Sequence, residues 1–312
     1  MKILILGAGS VGGYFGGRMA EAELDVTFLV RPKRKFQLND KGLIIESVFG
    51  DINRHVKALE PQDISESYDL IFLSCKAYDL ESSMDSIKKA VGSNTLIIPL
   101  MNGLAQIEVL EKRFGKEKVL GGVCYVGAKF DQDTGVIKHF GDFHRIPFGE
   151  IDGIKTERVE RISQLDRSVK FDFEHTVNIM QIMWNKCAGQ GALSSANVLT
   201  RSVVGDIMRS SHGRFFLEAV LNEGAAVCEA NGFHMSKETF DFYHKIFDTP
   251  DSQFATSMLR DLEAGKKTEG QHVIGDLVKR AESEGINIPI IKSALVAIEA
   301  YEAKIIDLNS DC

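Results

Sequence analysis

An apolar run, Met1-Lys2-Ile3-Leu4-Ile5-Leu6, empties into Gly7-Ala8-Gly9-Ser10-Val11-Gly12-Gly13 and then into Tyr14-Phe15-Gly16-Gly17-Arg18-Met19-Ala20. No other stretch restricts the fold so much, because this order reads as strand, tight turn and helix. Each glycine of Gly-x-Gly-x-x-Gly has a separate task. Gly7 permits the turn, Gly9 removes the side chain that would keep a pyrophosphate from the backbone, and Gly12 lets the helix press onto its strand. Phosphates would then meet the unpaired N–H groups of a helix N-terminus. The same pattern occurs as an ordinary glycine-rich turn in other α/β proteins. Its place directly behind a buried-type strand favours a dinucleotide site built from Gly7, Ala8, Gly9, Ser10, Val11 and Gly12.

The second strand, Asp25-Val26-Thr27-Phe28-Leu29-Val30, is β-branched and aromatic. An NAD site places Asp or Glu about 20 residues past the glycines to hold the ribose 2′-hydroxyl. This chain has Arg31 there, with Lys33, Arg34 and Lys35 behind it. A guanidinium offers a bidentate match to a 2′-phosphate, so the expected cofactor is NADP(H). A solvated basic loop is the competing reading, more so for Lys33 and Lys35 than for Arg31.

Further strands follow at Leu43–Ile45 and Val56–Ala58, flanking Gly50-Asp51 as a hairpin-like excursion, and at Asp69–Cys75 and Thr95–Leu100. Lys76 and Asn102 lie just past the carboxyl ends of the last two, the edge where ligands collect in open α/β sheets. Asn102-Gly103 is also a common turn dipeptide for local reasons. Short runs at 121–128, 135–140 and 145–149 read as meandering strands that complete the sheet. A polar helix near 156–165 and a strand at 169–173 bring the first domain to residue 176.

From Val177 the pattern becomes helical, giving domains of 1–176 and 177–312. A helix opening at Ile179-Met180-Gln181-Ile182-Met183-Trp184 carries Lys186, Gln190 and Ser194 at i, i+4 and i+8, on one face. Such a polar stripe is more often a solvated face unless something opposite needs those groups. Phe215–Ala230, Ser257–Leu262, Val273–Ser283 and Lys292–Ile306 continue the helical half.

Composition narrows the function classes. The 312 residues suffice for two cores, and 44% hydrophobic with 26% charged residues describe a soluble globular chain. A net charge of −7 argues against a nucleic-acid surface. Cys75, Cys124, Cys187, Cys228 and Cys312 form no C-x-x-C pair, as expected of reduced thiols; no metal site is expected. The N-terminal apolar run is too short for a signal peptide, and no stretch approaches the length of a membrane span. The expectation is a cytoplasmic protein without membrane or nucleic-acid partners.

Taken in order, Gly7–Gly12, Arg31, Ser74-Cys75-Lys76-Ala77, Asn102-Gly103, Trp184-Asn185-Lys186, Ser257-Met258-Leu259-Arg260-Asp261 and Thr268-Glu269 resemble the ketopantoate reductase (2-dehydropantoate 2-reductase) family over nearly the whole chain. The resemblance implies a fold of the α/β class, an N-terminal Rossmann-like domain followed by an all-helical C-terminal domain; a monomer or homodimer is expected, the sequence itself not giving the oligomeric state. It implies NADPH-dependent reduction of a 2-oxo acid, 2-dehydropantoate to pantoate, in pantothenate and coenzyme A synthesis. By the same resemblance Lys186 is the general acid, Glu269 is its catalytic partner and holds the ligands, Ser257 contacts the substrate, and Lys76, Asn102 and Ala128 line the cofactor. The chemistry suits these types: a carbonyl receiving hydride gains alkoxide charge, which an ammonium stabilises and protonates.

The departures from the family pattern fall where the small-molecule acid would bind. Gln190, Ser194 and Val204 stand where members usually carry asparagine, and Gly270-Gln271 replaces an apolar–Asp pair. A site with fewer hydrogen-bond partners discriminates less among hydroxylated substrates. A diverged paralogue reducing another 2-oxo acid or ketone is the first alternative. A non-catalytic NADPH-binding sensor is the alternative from another class, against which Lys186, Ser257 and Glu269 speak.

Overall fold

The computed structural model describes residues 1–310, with side chains to residue 305; Cys312 lies outside the described residues. The chain divides into two compact units, one of residues 1–101 with 106–180, the other of 102–105 with 181–312.

The first unit runs β1 (Lys2–Leu6), α1 (Ser10–Glu21), β2 (Asp25–Leu29), α2 (Pro32–Lys41), β3 (Leu43–Glu46), β4 (Ile52–Arg54), β5 (Lys57–Leu59) and β6 (Tyr68–Leu73). It continues with α3 (Leu80–Ile87), β7 (Val91–Pro99), α4 (Ala105–Phe114), β8 (Gly121–Gly122), β9 (Tyr125–Phe130), β10 (Val136–Gly149), α5 (Glu157–Ser163) and β11 (Asp172–His175). Its main sheet is all parallel, in the order β5-β2-β1-β6-β7. The apolar run at the N-terminus is the central strand, and the strand order reverses beside it. Such switch points open a crevice at the carboxyl ends of the strands, and Gly7 lies at this one.

The runs at 121–149 do not complete that sheet. They build a second, mixed sheet in which β10 pairs parallel with β3 and β11 and antiparallel with β8 and β9. The hairpin-like excursion is real only for β3 and β4; β5 leaves it to become the edge of the main sheet. Helix α1 fills the space between the sheets because its glycines form two rows. Gly16 lies against Phe28 and Ile5, while Gly17 lies against Ile45 and Leu43. Tyr14, Phe15, Phe28, Ile45, Ile137, Phe148 and Phe173 share the resulting core.

The basic residues behind Arg31 do not form a loop. Pro32 occupies the first turn of α2, a position that wastes no N–H, and the run to Lys41 is helical. Lys35 pairs with Asp63 at 2.6 Å and Arg34 is buried, so both are tied to their own fold.

The second unit runs α6 (Ile179–Thr200), α7 (Val204–Met208), α8 (Gly213–Ala230), α9 (Lys237–Asp248), α10 (Ser257–Glu263), a π-helical turn (Gln271–Gly275), α11 (Asp276–Ser283) and α12 (Pro289–Ser310). Helix α6 is its axis. A Cβ at Gly189 would strike the Tyr243 ring of α9, one at Gly191 would strike Leu277 of α11, and Gly224 of α8 lies against the Ala188 carbonyl. Glycine costs helix stability, and here it allows three helices to approach the fourth closely. Among the described residues no helix is long and apolar enough to cross a membrane, and no group of His, Cys, Asp and Glu has metal-binding geometry. Cys75, Cys124, Cys187 and Cys228 form no disulfide.

Candidate active site

Two neighbourhoods carry the residues singled out from the sequence. The first is the turn after β1. Gly7 has φ +92°, and its N–H donates to the Leu29 carbonyl at 2.9 Å. Ser74, at the end of β6, donates from Oγ to the Leu6 carbonyl at 2.7 Å. A Cβ at Gly12 would run into the Gly7 carbonyl and Ser74 Oγ, whereas one at Gly9 would meet nothing within 4 Å. The turn is therefore packed at its first and third glycines and open at its second. That is the arrangement a pyrophosphate requires, with Gly9 as N-cap of the 12-residue α1 behind it. The residues present fit a dinucleotide.

Other members of this group differ in what their side chains do. Ser10 Oγ accepts from the Phe130 N–H at 3.0 Å, which leaves its hydroxyl proton to donate. Ala8 is buried and Val11 packs on the core. Arg31 is N-cap of α2, its side chain 78% exposed, and donates to Asp79 Oδ2 at 2.9 Å. Lys76 is half-buried and caps the short turn Ala77–Asp79 at the carboxyl side of β6. Ala128 sits in β9 opposite His139, in the second sheet.

The second neighbourhood is a small cavity in the helical unit, lined by Asn102, Gln190, Ser194, Ser257, Met258, Asp261, Glu269 and Val273. Five residues scattered over the sequence thus converge on one space. The stripe on α6 is not a solvated face: Ser194 is 1% exposed and lines the cavity with Gln190. Lys186 is half-buried one turn earlier on the same face; it is not among the lining residues. Glu269 is 7% exposed.

Four hydrogen bonds, two at Asn197 and two at Thr268, set this geometry. Asn197, at the end of α6, donates from Nδ2 to the Ser202 carbonyl at 2.8 Å and accepts from the Thr256 N–H at 3.1 Å, which places the first turn of α10 and hence Ser257. Thr268 donates to Glu302 of α12 at 2.7 Å and accepts from the Gly270 N–H, fixing the chain on both sides of Glu269. Burial holds the His272 imidazole below the usual histidine range, against the opposing pull of Glu269, Asp276 and a hydrogen bond with the Asn102 main chain. His272 lies against Gly103, whose φ of +88° forms the turn that presents Asn102.

Sequence reasoning missed the lining roles of Met258, Asp261 and Val273, and the support from His272. Asp261 is four residues past Ser257, and Val273 four past Glu269, so helical spacing was the available signal. Not every departure from the family pattern touches the cavity. Val204 is buried, its N–H bound to the Phe254 carbonyl at 3.0 Å. Gly270 makes room for Ile298 of α12, and Gln271 donates to Glu299 at 2.9 Å. Of the departures only Gln190 and Ser194 line it.

A glycine turn at the switch point of a parallel sheet, followed by a helical unit with a polar cavity, is the architecture of a dinucleotide-binding protein with a small-molecule site. The model of ketopantoate reductase PanE/ApbA matches residues 3–153, and that of its C-terminal part matches 178–302. The chain belongs to the ketopantoate reductase family and is an NADP-dependent oxidoreductase acting on CH–OH groups. It is 32% identical over 304 residues to the uncharacterized oxidoreductase YkpB of Bacillus subtilis (97% of this chain, 100% of that one). It is 27% identical to the 2-dehydropantoate 2-reductase of Archaeoglobus fulgidus (97% and 98%). The crystal structure of 2-dehydropantoate 2-reductase from Geobacter metallireducens GS-15 superposes with TM-score 0.87 at 26% identity, covering 96% of this chain and 99% of that one.

Proposed function

We propose that the chain reduces a 2-oxo acid with NADPH, that 2-dehydropantoate is the substrate, and that Lys186 is the general acid. The observation that carries this reading is the convergence of Asn102, Gln190, Ser194, Ser257 and Glu269 on one small cavity. NADPH, when bound, supplies hydride to the carbonyl carbon. Lys186, on the cavity-facing side of α6, stabilises the oxygen as it becomes alkoxide and gives it a proton. Ser257 and Glu269 hold the substrate, with Gln190 and Ser194 donating to and accepting from its oxygens. Gly7–Gly12 hold the pyrophosphate and Arg31 the 2′-phosphate, with Lys76 beside them.

The test is oxidation of NADPH, followed at 340 nm, with 2-dehydropantoate. Wild type should turn over, and Lys186→Ala should lower kcat by about 10²- to 10⁴-fold. A wild type inert over a wide substrate range defeats the assignment. A second reading, reduction of a different 2-oxo acid by a diverged paralogue, is supported by Gln190 and Ser194 in the cavity lining. A panel of 2-oxo acids decides between the two, since the paralogue requires a clear preference for another acid. Tight NADPH binding without turnover on any member would leave a cofactor sensor.

A further inference from the structure

Arg34 is a buried cation beside the glycine turn. It lies in the first turn of α2, is 8% exposed, and donates from Nε to the Ala8 carbonyl at 2.9 Å. Nη1 donates to the Gly135 carbonyl at 3.0 Å and to Gln37 Oε1 at 3.2 Å. The guanidinium carbon is 4.4 Å from the centroid of the Phe130 ring, whose own N–H holds Ser10. Nη2 is buried and makes no hydrogen bond among the described residues. No carboxylate pairs with Arg34 there, and burial alone brings its pKa down to about 10. Buried charges are ordinarily paired with an opposite charge. This one has carbonyls, an amide and an aromatic face instead.

We propose that Arg34 is a positioning residue for the dinucleotide: it turns the Ala8–Gly9 peptide so that the Gly9 N–H faces the cofactor's phosphates, whose charge complements its own. A trans peptide is planar, with its C=O and N–H pointing in opposite directions. Holding the Ala8 oxygen at Arg34 therefore sends the Gly9 N–H to the far side of that peptide. The space around Gly9 is open. A guanidinium behind the turn also acts on an anion through protein, where salt screens it little. This role rests on the reading of a dinucleotide at the turn and goes beyond it in one respect. It concerns the pyrophosphate common to both nicotinamide cofactors, so it is separate from the 2′-phosphate role given to Arg31.

The experiment measures the Kd of NADPH and of NADH, and the rise in Tm that each cofactor produces, for wild type, Arg34→Lys, Arg34→Met and Arg31→Ala. Arg34→Met should weaken both cofactors by about tenfold or more and shrink both Tm rises. Arg34→Lys, which keeps the charge without the planar fork, should fall between Met and wild type. Arg31→Ala should act mainly on NADPH. Kd values within about twofold of wild type for both cofactors, or a loss confined to NADPH, overturn the proposal. So does a lower Tm without cofactor accompanied by unchanged cofactor-induced rises, the mark of a purely structural arginine. If Arg34→Met does not fold, Arg34→Lys decides by the same criteria. A wild type that binds neither cofactor refutes the dinucleotide reading itself, a different outcome from variants that bind as wild type does.

Discussion

Arg31 and Asp79 share one hydrogen bond at the mouth of the proposed cofactor site, and a 2′-phosphate would compete for the same guanidinium. With its side chain mostly in water, the pair is worth little to stability, so its meaning is electrostatic. A carboxylate held this close to Arg31 opposes an approaching phosphate dianion. Asp79→Asn should therefore raise the preference for NADPH over NADH by about tenfold at low salt, and Arg31→Ala should lower it by a similar factor. Paired Kd measurements at two salt concentrations check both; equal effects on the two cofactors remove the assignment of Arg31 to the 2′-phosphate. Arg34, three residues on, was illegible in the sequence for a plain reason. A basic run reads as solvated, and only the return of the 131–135 turn onto α2 buries one member of it.

Among the elements, β1–α1–β2 was legible because strand, turn and helix each leave a local signature and Arg31 follows at the expected distance. The second sheet was not. Strand β10 finds its parallel partners at β3 and β11, and nothing in its own alternation of side chains points to residues so far away in the chain. Helix α9 also escaped notice, although Ser236 caps it by accepting from the Thr239 N–H and Tyr243 and Phe247 repeat at helical spacing. The polar stripe on α6 was readable as a stripe, but its partners Ser257 and Glu269 come from later helices. Packing around α6 gives a stability prediction. A Cβ on Gly224 would stand 2.7 Å from the Ala188 carbonyl and 3.2 Å from the Ala192 side chain. Main chain cannot turn aside as a side chain can, so Gly224→Ala should destabilise by about 1–3 kcal/mol, measured as a lower denaturant midpoint.

Over the whole molecule, pH should act through histidines whose pKa burial lowers, His272 in the second unit and a pair in the first, before it acts on the acids. His139 and His144 stack at 5.9 Å between ring centroids, each facing buried Arg18, with Tyr14 hydroxyl bound to His144 and Ser47 to His139. Burial chiefly holds both imidazoles below the ordinary value of 6.5: for His139 a hydrogen bond with the Phe143 carbonyl opposes it and Arg18 adds to it, and for His144 both His139 and Arg18 add to it while Asp172 pulls the other way. The unfolded chain consequently binds protons first as pH drops. Stability from these neutral rings is complete above about pH 6.5 and declines below it toward the folded-state pKa values. Tm should fall between pH 7.5 and 5.5, and His144→Gln should flatten that slope; an unchanged slope in the variant rules the pair out as its source. A different consequence follows from Asn102–Ala105, which belongs to the second unit although the chain on both sides of it belongs to the first. The boundary is discontinuous in sequence, so no single cut yields two complete halves. A gene fragment ending at Met180 would carry the Asn102-Gly103 turn without His272, the residue it rests on. Separating the units therefore calls for grafting a short linker across 102–105, and a fragment library cut only near residue 180 would return a first half with one frayed loop.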